Sequence, residues 1–332
     1  MSTPVPLASA IGPAIARFVA HKQALGRHYD SQRQRLAQLD RFLSQRADPD
    51  LTPESFSAWC SSTKHLTPGG RRMLMLLVRQ LCLHRRRTES QCFVPDPSQF
   101  PRRQPRRRPH VFSEEEIVRI LRAADALRPW GASPLYREVA RVAVTLLYTS
   151  GLRRGEIVRL TLGDYDAAEC VLLVRESKFR KSRLIPLSMD AAAELDRYLE
   201  GRRRPRFPCG ADAPLLLHRR GGDPTAYSGQ GLRLLMRHLF QTAGIRTAAG
   251  RLPRVHDLRF TFASHALSRW YRSGADVQAR LPALAIYMGH VSILSTQYYL
   301  PTLDIVASEA SERFDQHCRA FLATAADERG GR

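Results

Sequence analysis

The stretch from Pro95 to Pro109 decides how the rest of the chain can be organised. It places five prolines and five arginines in fifteen residues. Proline lacks the N–H that a helix needs and biases the residue before it away from helical backbone. Arginines crowded beside it favour an extended, solvated chain. Residues 95–112 therefore read as a basic linker between two bodies, residues 1–94 and residues 113–332. A hydrophobic fraction of 43% is enough for each body to bury its own core.

Both bodies are basic. The chain carries 52 Lys and Arg against 31 Asp and Glu, a net charge of +21, of which +12 lies before residue 112 and +9 after it. A polyanion touched by both parts is implied, with DNA or RNA the natural candidates; a ribosomal or membrane-surface partner explains net charge equally well. No uncharged apolar run approaches a bilayer's thickness, and the first sixteen residues lack the basic start and cleavage site of a secretory signal, so no membrane partner is expected. A cytoplasmic, nucleoid-associated protein is the expectation. The six cysteines show no C-x-x-C pair and no finger-like Cys/His spacing, which points to reduced thiols and to no metal.

Residues 8–94 read as four helices. Ile11, Ile15, Phe18 and Val19 form one helical stripe and Leu36, Leu39, Phe42 and Leu43 another. Thr52-Pro53 and Thr67-Pro68 each supply an N-cap followed by proline at the first helical position. Ser113-Glu-Glu-Glu116 is a capping box that opens the second body. Helices are expected there over 114–128, 135–149, 153–160, 189–200, 227–243, 256–271, 277–288 and 304–325. The apolar runs Cys170–Arg175 and Arg183–Leu187 read as a β-hairpin with a basic tip. The fold class is mainly α with a small antiparallel β-sheet.

Four clusters carry chemistry. In Gly151-Leu-Arg153-Arg-Gly-Glu156 the acid stands three residues after Arg153, where it can face the guanidinium; an ordinary surface ion pair would look the same. His256 and Arg259 share one face at the start of a helix, an arrangement suited to a phosphate. Met288-Gly289-His290 closes a helix with a histidine just beyond it, and Tyr298 and Tyr299 follow. Only four basic residues are lysines, and two of them, Lys178 and Lys181, sit in the hairpin tip. Taken singly, each cluster also fits a structural role.

Together they resemble the tyrosine recombinase family, the phage-type integrases and their mobile-element relatives. The resemblance is carried by T-S-G-L-R-x-x-E at 149–156, S-K-x-x-K-x-R-x-x-P-L at 177–187, H-x-L-R-x-T-F-A at 256–263, and G-H followed by S-T-Q-x-Y at 289–299. It implies a SAM-like helical core-DNA-binding domain before an α+β catalytic domain. It also implies that Arg153 and Arg259 bind the scissile phosphate, that His256 and His290 hydrogen-bond or move protons there, and that Glu156 supports Arg153. Tyr299 would attack phosphorus to leave a 3′-phosphotyrosyl bond, and Lys178 would protonate the departing 5′-oxygen. Arginine is too weak an acid for that last role, whereas a lysine is not. Tyr299 is preferred over Tyr298 because it stands nine residues after His290, and Lys181 is read as a phosphate contact alongside Arg102, Arg103, Arg106, Arg107 and Arg108. Phe260, where many relatives carry histidine, departs from the family pattern outside the six positions.

The activity so implied is site-specific recombination of double-stranded DNA, with integration or excision of a mobile element, by a homo-tetramer on its recombination sites. Sister recombinases of the same element are further candidate partners. Exchange of one phosphate ester for another conserves bond energy, so neither ATP nor any other cofactor is required. The helix at 304–325 is a candidate for docking on a neighbouring protomer or on its own domain. Two other readings fit part of the pattern: a type IB topoisomerase-like nicking–rejoining enzyme acting as a monomer, and a non-catalytic DNA-binding regulator.

Overall fold

The computed structural model describes residues 6–105, 107–128, 134–175, 182–203, 207–220, 223–290 and Cys318. The chain divides into two compact units, Met1–Arg107 and Arg108–Arg332.

The first unit is a bundle of α1 (Gly12–Ala24), α2 (Asp30–Gln45), α3 (Pro53–Ser62) and α4 (Pro68–Arg85). The threonines before both prolines cap as the sequence implies: Thr52 Oγ1 accepts from Ser55 N at 3.2 Å and Thr67 Oγ1 from Gly70 N at 3.2 Å. Ile15, Phe18, Leu36, Leu39, Leu43, Val78 and Leu81 close a common core. The proline-rich segment is anchored to this bundle at its start. Phe100 is buried in the core and packs on Phe56, while Arg72 and Arg79 of α4 donate to the carbonyls of Pro101 (2.9 Å) and Pro95 (2.6 Å). Arg102, Arg103, Arg107 and Arg108 are exposed; Arg106 lies outside the described residues.

The second unit begins with α5 (Glu114–Asp125), opened by the Ser113–Glu116 capping box. It continues through α6 (Tyr136–Thr149), the single turn α7 (Arg154–Ile157), strands β1 (Tyr165–Asp166), β2 (Val171–Val174) and β3 (Arg183–Pro186), and α8 (Met189–Arg202). Strands β4 (Leu217–Arg220) and β5 (Asp223–Ala226) precede α9 (Gly229–Thr242), α10 (Val255–Arg272) and α11 (Val277–Met288). The hairpin is in fact two strands of a three-stranded antiparallel sheet, β1-β2-β3, whose Leu172 and Ile185 oppose each other and face the core. The β4–β5 hairpin is additional to the expected elements: Pro224 in β5 breaks a strand-like pattern, yet proline is tolerated where the ladder has only two strands. The helix expected over 153–160 shrinks to one turn, because Val158 ends it and Leu160 turns to pair with the segment at Leu215. Of the helix expected over 304–325, only Cys318 is among the described residues.

Val139, Ala143, Val144 and Leu147 of α6 fill the centre of the main core, flanked by α5, α8 and α9. A smaller cluster joins Phe260, Ala263 and Leu267 of α10 to Leu281, Leu284 and Met288 of α11. The chain enters this unit through Phe112, which is fully buried and donates its N–H to Thr261 Oγ1 at 3.0 Å. No described helix is long and apolar enough to cross a membrane.

Candidate active site

Two helix starts and two glycine-closed helix ends meet at one place. Ser150 and Gly151 end α6; Gly151 adopts φ +59°, and a Cβ there would sit 2.6 Å from the Phe262 ring. Gly289 ends α11 at φ +65°, where a Cβ would sit 2.8 Å from the Arg183 guanidinium. Both positions thus demand glycine for conformation and for space. Their reversed backbones aim two carbonyls at the arginines. Gly151 O accepts from Arg259 Nη1, and Gly289 O accepts from Arg153 Nη2 at 2.8 Å.

Arg259 is 1% exposed, and its Nη2 also reaches Met288 O at 2.6 Å and His290 Nε2 at 2.9 Å. A guanidinium can only donate, so Nε2 of His290 is the acceptor and the ring's proton sits on Nδ1. These partners fix Arg259 against α6 and α11 at once.

Arg153 is oriented differently. It caps α7, and Glu156 at the third position accepts both the Arg153 N–H (2.9 Å) and its Nη1 (2.6 Å). Glu156 is nearly fully buried and also receives Arg183 Nη1 (3.2 Å) and Nη2 (2.9 Å). Burial alone would raise its pKa, but the hydrogen bonds and charges of Arg183 and Arg153 overcome this and bring it down to about 2. Glu156 is therefore a buried carboxylate between two guanidiniums, and the surface-pair reading does not apply. The start of α10 repeats the device: Arg254 caps it, and Asp257, also buried, accepts the Arg254 N–H and Nη2, each at 2.8 Å.

His256 follows that cap. Its ring keeps an exposed face, yet the packing around it strips enough hydration to lower its pKa, helped by the Arg259, Arg254 and Arg153 charges. For His290 the same loss of hydration, followed by Arg259, Arg153, Arg183 and His256, pushes the pKa down to about 3. The structure thus brings Arg153, His256, Arg259, His290 and Glu156 into one electrostatic neighbourhood of cations and neutral imidazoles. Such a cluster favours an anion that gains charge in a transition state. Among the described residues no group of His, Cys, Asp or Glu is arranged to hold a metal ion. Lys178, Lys181, Tyr298 and Tyr299 lie outside the described residues.

One contributor went unassigned in the sequence. Arg183 served there only as a spacing mark, although an arginine opening a strand otherwise made of Leu, Ile and Pro is itself a signal. Its side chain is 8% exposed and joins Glu156 to the backbone carbonyl of Tyr287, 2.8 Å from Nε.

Fold and site together define a mainly helical protein whose second unit gathers arginines and neutral imidazoles around a single point. The model of the phage integrase family matches residues 110–304. A protein of Sinorhizobium fredii named as an integrase/recombinase is 31% identical over 321 residues, covering 91% of this chain and 96% of its own. A second, from the same organism and similarly named, is 37% identical over 216 residues, 65% of this chain and 67% of its own. Among solved structures, the XerH site-specific recombinase bound to its palindromic difH substrate shares the fold, with a TM-score of 0.61 over 95% of this chain and 98% of that one, at 14% identity. The Tn1549 transposon integrase in complex with a circular intermediate DNA does so at 0.60 over 88% and 94%, at 17% identity. The chain belongs to the phage integrase family and is a tyrosine recombinase, an enzyme of site-specific DNA recombination.

Proposed function

We propose that the chain cleaves and rejoins double-stranded DNA through a covalent 3′-phosphotyrosyl intermediate, and so integrates or excises a mobile element. The observation that carries this reading is the convergence of Arg153, Arg259, His256 and His290 around one point, with both arginines held in fixed directions.

In this mechanism Arg153 and Arg259 donate to the two non-bridging oxygens of the scissile phosphate. Their charge matters most when the five-coordinate transition state carries extra negative charge, and their pre-set orientation spares reorganisation at that moment. His290, neutral at working pH, donates from Nδ1. His256, also biased toward neutrality, can accept the proton that Tyr299 loses as its oxygen bonds to phosphorus. The P–O5′ bond breaks, and Lys178 gives its proton to the departing oxygen. Attack by the new 5′-hydroxyl of a partner strand reverses each step. Arg102, Arg103, Arg106, Arg107, Arg108 and Lys181 contact phosphates along the duplex, which adds affinity without sequence information.

Two duplexes exchanging strands need four such sites, so the active form is a homo-tetramer on paired recombination sites, joined where the element encodes them by sister recombinases. The relatives named for integrase/recombinase function support the mobile-element role. The test uses the full chain, a chelator and a duplex from the element's ends nicked close to the scissile phosphate. A protein–DNA adduct resistant to denaturant is expected with wild type and is expected to be lost in Arg153→Ala and Arg259→Ala. No adduct from wild type contradicts the proposal.

A further inference from the structure

We infer that Thr261 is a positioning residue for DNA cleavage. Its hydroxyl straps the chain's entry into the second unit to the helix start that carries His256 and Arg259, an inference that rests on the proposed cleavage reaction.

His110, Val111 and Phe112 follow directly on the arginine segment, and each is held by the second unit. His110 Nε2 lies 2.8 Å from Glu116 Oε2 on α5. Val111 packs on the cluster shared by α10 and α11. The fully buried Phe112 ring sits against Phe240 of α9, centroids 5.3 Å apart, and the Phe112 N–H donates to Thr261 Oγ1 at 3.0 Å. Thr261 is itself fully buried, and its hydroxyl donates to Asp257 O at 2.9 Å. A hydroxyl has a single proton to give, so with Asp257 O as its acceptor it meets Phe112 through a lone pair, and the direction of the chain of bonds is fixed.

That chain ends where the active site begins. Asp257 is the buried acid whose carboxylate accepts the Arg254 N–H and closes the cap of α10. His256 precedes it, and Arg259 stands two residues beyond. One turn after Thr261, the His265 ring has the Phe112 carbonyl as a hydrogen-bond partner, and its Nδ1 lies 3.2 Å from Tyr148 Oη on α6. Tyr148 is three residues before Gly151, whose carbonyl accepts from Arg259. The strap at Phe112 therefore registers the start of α10 against the end of α6. Without the Thr261 hydroxyl the Phe112 N–H is a buried donor with no acceptor, and the segment must shift to satisfy it.

The test uses the full chain and the nicked duplex at saturating concentration, well below the unfolding midpoint. Thr261→Val keeps the shape and loses both hydrogen bonds. Single-turnover cleavage is expected to fall roughly 10- to 100-fold, the effect of a small misplacement of reacting groups. Duplex affinity, set by phosphate contacts elsewhere, should stay within about twofold. Thr261→Ser, which restores the hydroxyl, should come within about threefold of the wild-type rate. Replacing the Phe112 amide N–H by an ester oxygen, through the α-hydroxy acid analogue of phenylalanine, removes the strap bond alone and should slow cleavage as valine does.

A purely structural role would lower the urea midpoint of Thr261→Val and leave its saturated cleavage rate unchanged, and that result overturns the inference. A slow valine variant beside an ester variant of wild-type rate also overturns it, because the loss then comes from the bond within α10. Should the valine variant fail to fold, the ester variant decides alone by the same criterion. No adduct from wild type fails the cleavage reaction itself; a cleaving wild type matched in rate by Thr261→Val fails only the inference.

Discussion

Arg259 Nη2 lies 2.9 Å from His290 Nε2, and the imidazole it touches has its pKa pushed down to about 3. The arginine therefore positions the histidine, and loss of hydration, with the Arg259 charge beside it, keeps the ring neutral; in the proposed mechanism His290 serves the phosphate as a dipole whose proton stays in place. The cleavage rate should show no break attributable to His290 between pH 6 and 8. A pH–rate profile of single-turnover cleavage checks this, and a break near pH 6.5 that vanishes in His290→Gln contradicts it.

The same pKa shifts set the acid sensitivity of the fold. An unfolded histidine takes up a proton near pH 6.5, whereas folded His290 does not until about pH 3. Between those values the unfolded state binds more protons, so stability falls as pH drops through 6 toward 4. Glu156 adds to the loss only below about 4.5, its unfolded value, and the loss continues toward its folded value of about 2. Urea unfolding at pH 7.5, 5.5 and 4.0 should give falling midpoints, with the step from 7.5 to 5.5 reduced in His290→Gln. An unchanged step in that variant would show that other groups dominate.

Removing Glu156 leaves two guanidiniums facing each other in a buried space. Glu156→Ala should cost about 3–5 kcal/mol of stability, the range for breaking a buried ion pair from one side. Glu156→Gln should cost less while still lowering cleavage, because Arg153 loses its charged orienting partner. Equilibrium denaturation together with adduct formation measures both; a Glu156→Ala protein of near wild-type stability contradicts the placement of Glu156 between Arg153 and Arg183.

Gly151 and Gly244 share left-handed backbone, at φ +59° and +67°, but only Gly151 is crowded, with nothing within 4 Å of a Cβ at Gly244. Alanine at Gly244 should cost about 1–2 kcal/mol for conformation alone. At Gly151 it should cost clearly more and also displace the carbonyl that Arg259 uses, with Phe262→Ala restoring part of the stability. Equal costs at the two positions would mean that Phe262 yields freely.

Most of this arrangement was legible in the chain because its signals are local. Helical stripes such as Ile15, Phe18 and Val19, the threonine–proline caps and the Ser113–Glu116 box each need only a few consecutive residues. Arg153, Glu156, His256, Arg259 and His290 could be singled out because each lies within a short motif. What stayed hidden depends on distant partners. Glu156 looks like half of a surface pair until Arg183, 27 residues away, arrives at its other face. Arg259 looks like any helix-face arginine until Gly151 and Met288 present their carbonyls. The β4–β5 hairpin was missed because Pro224 argues against a strand unless the ladder is known to end there. Phe100 was assigned to the linker by its proline neighbours, while its ring belongs to the first unit's core.

A cation cluster that serves a tyrosine nucleophile at position 299, as proposed, leaves the DNA covalently attached to that residue, and the site of attachment is directly measurable. Wild type, Tyr299→Phe and Tyr298→Phe should each be mixed with the nicked suicide duplex, and the wild-type adduct should be digested and sequenced by mass spectrometry. Adducts are expected from wild type and Tyr298→Phe, none from Tyr299→Phe, and the nucleotide remnant on Tyr299. An adduct from Tyr299→Phe, or a remnant mapped to Tyr298, would contradict that assignment.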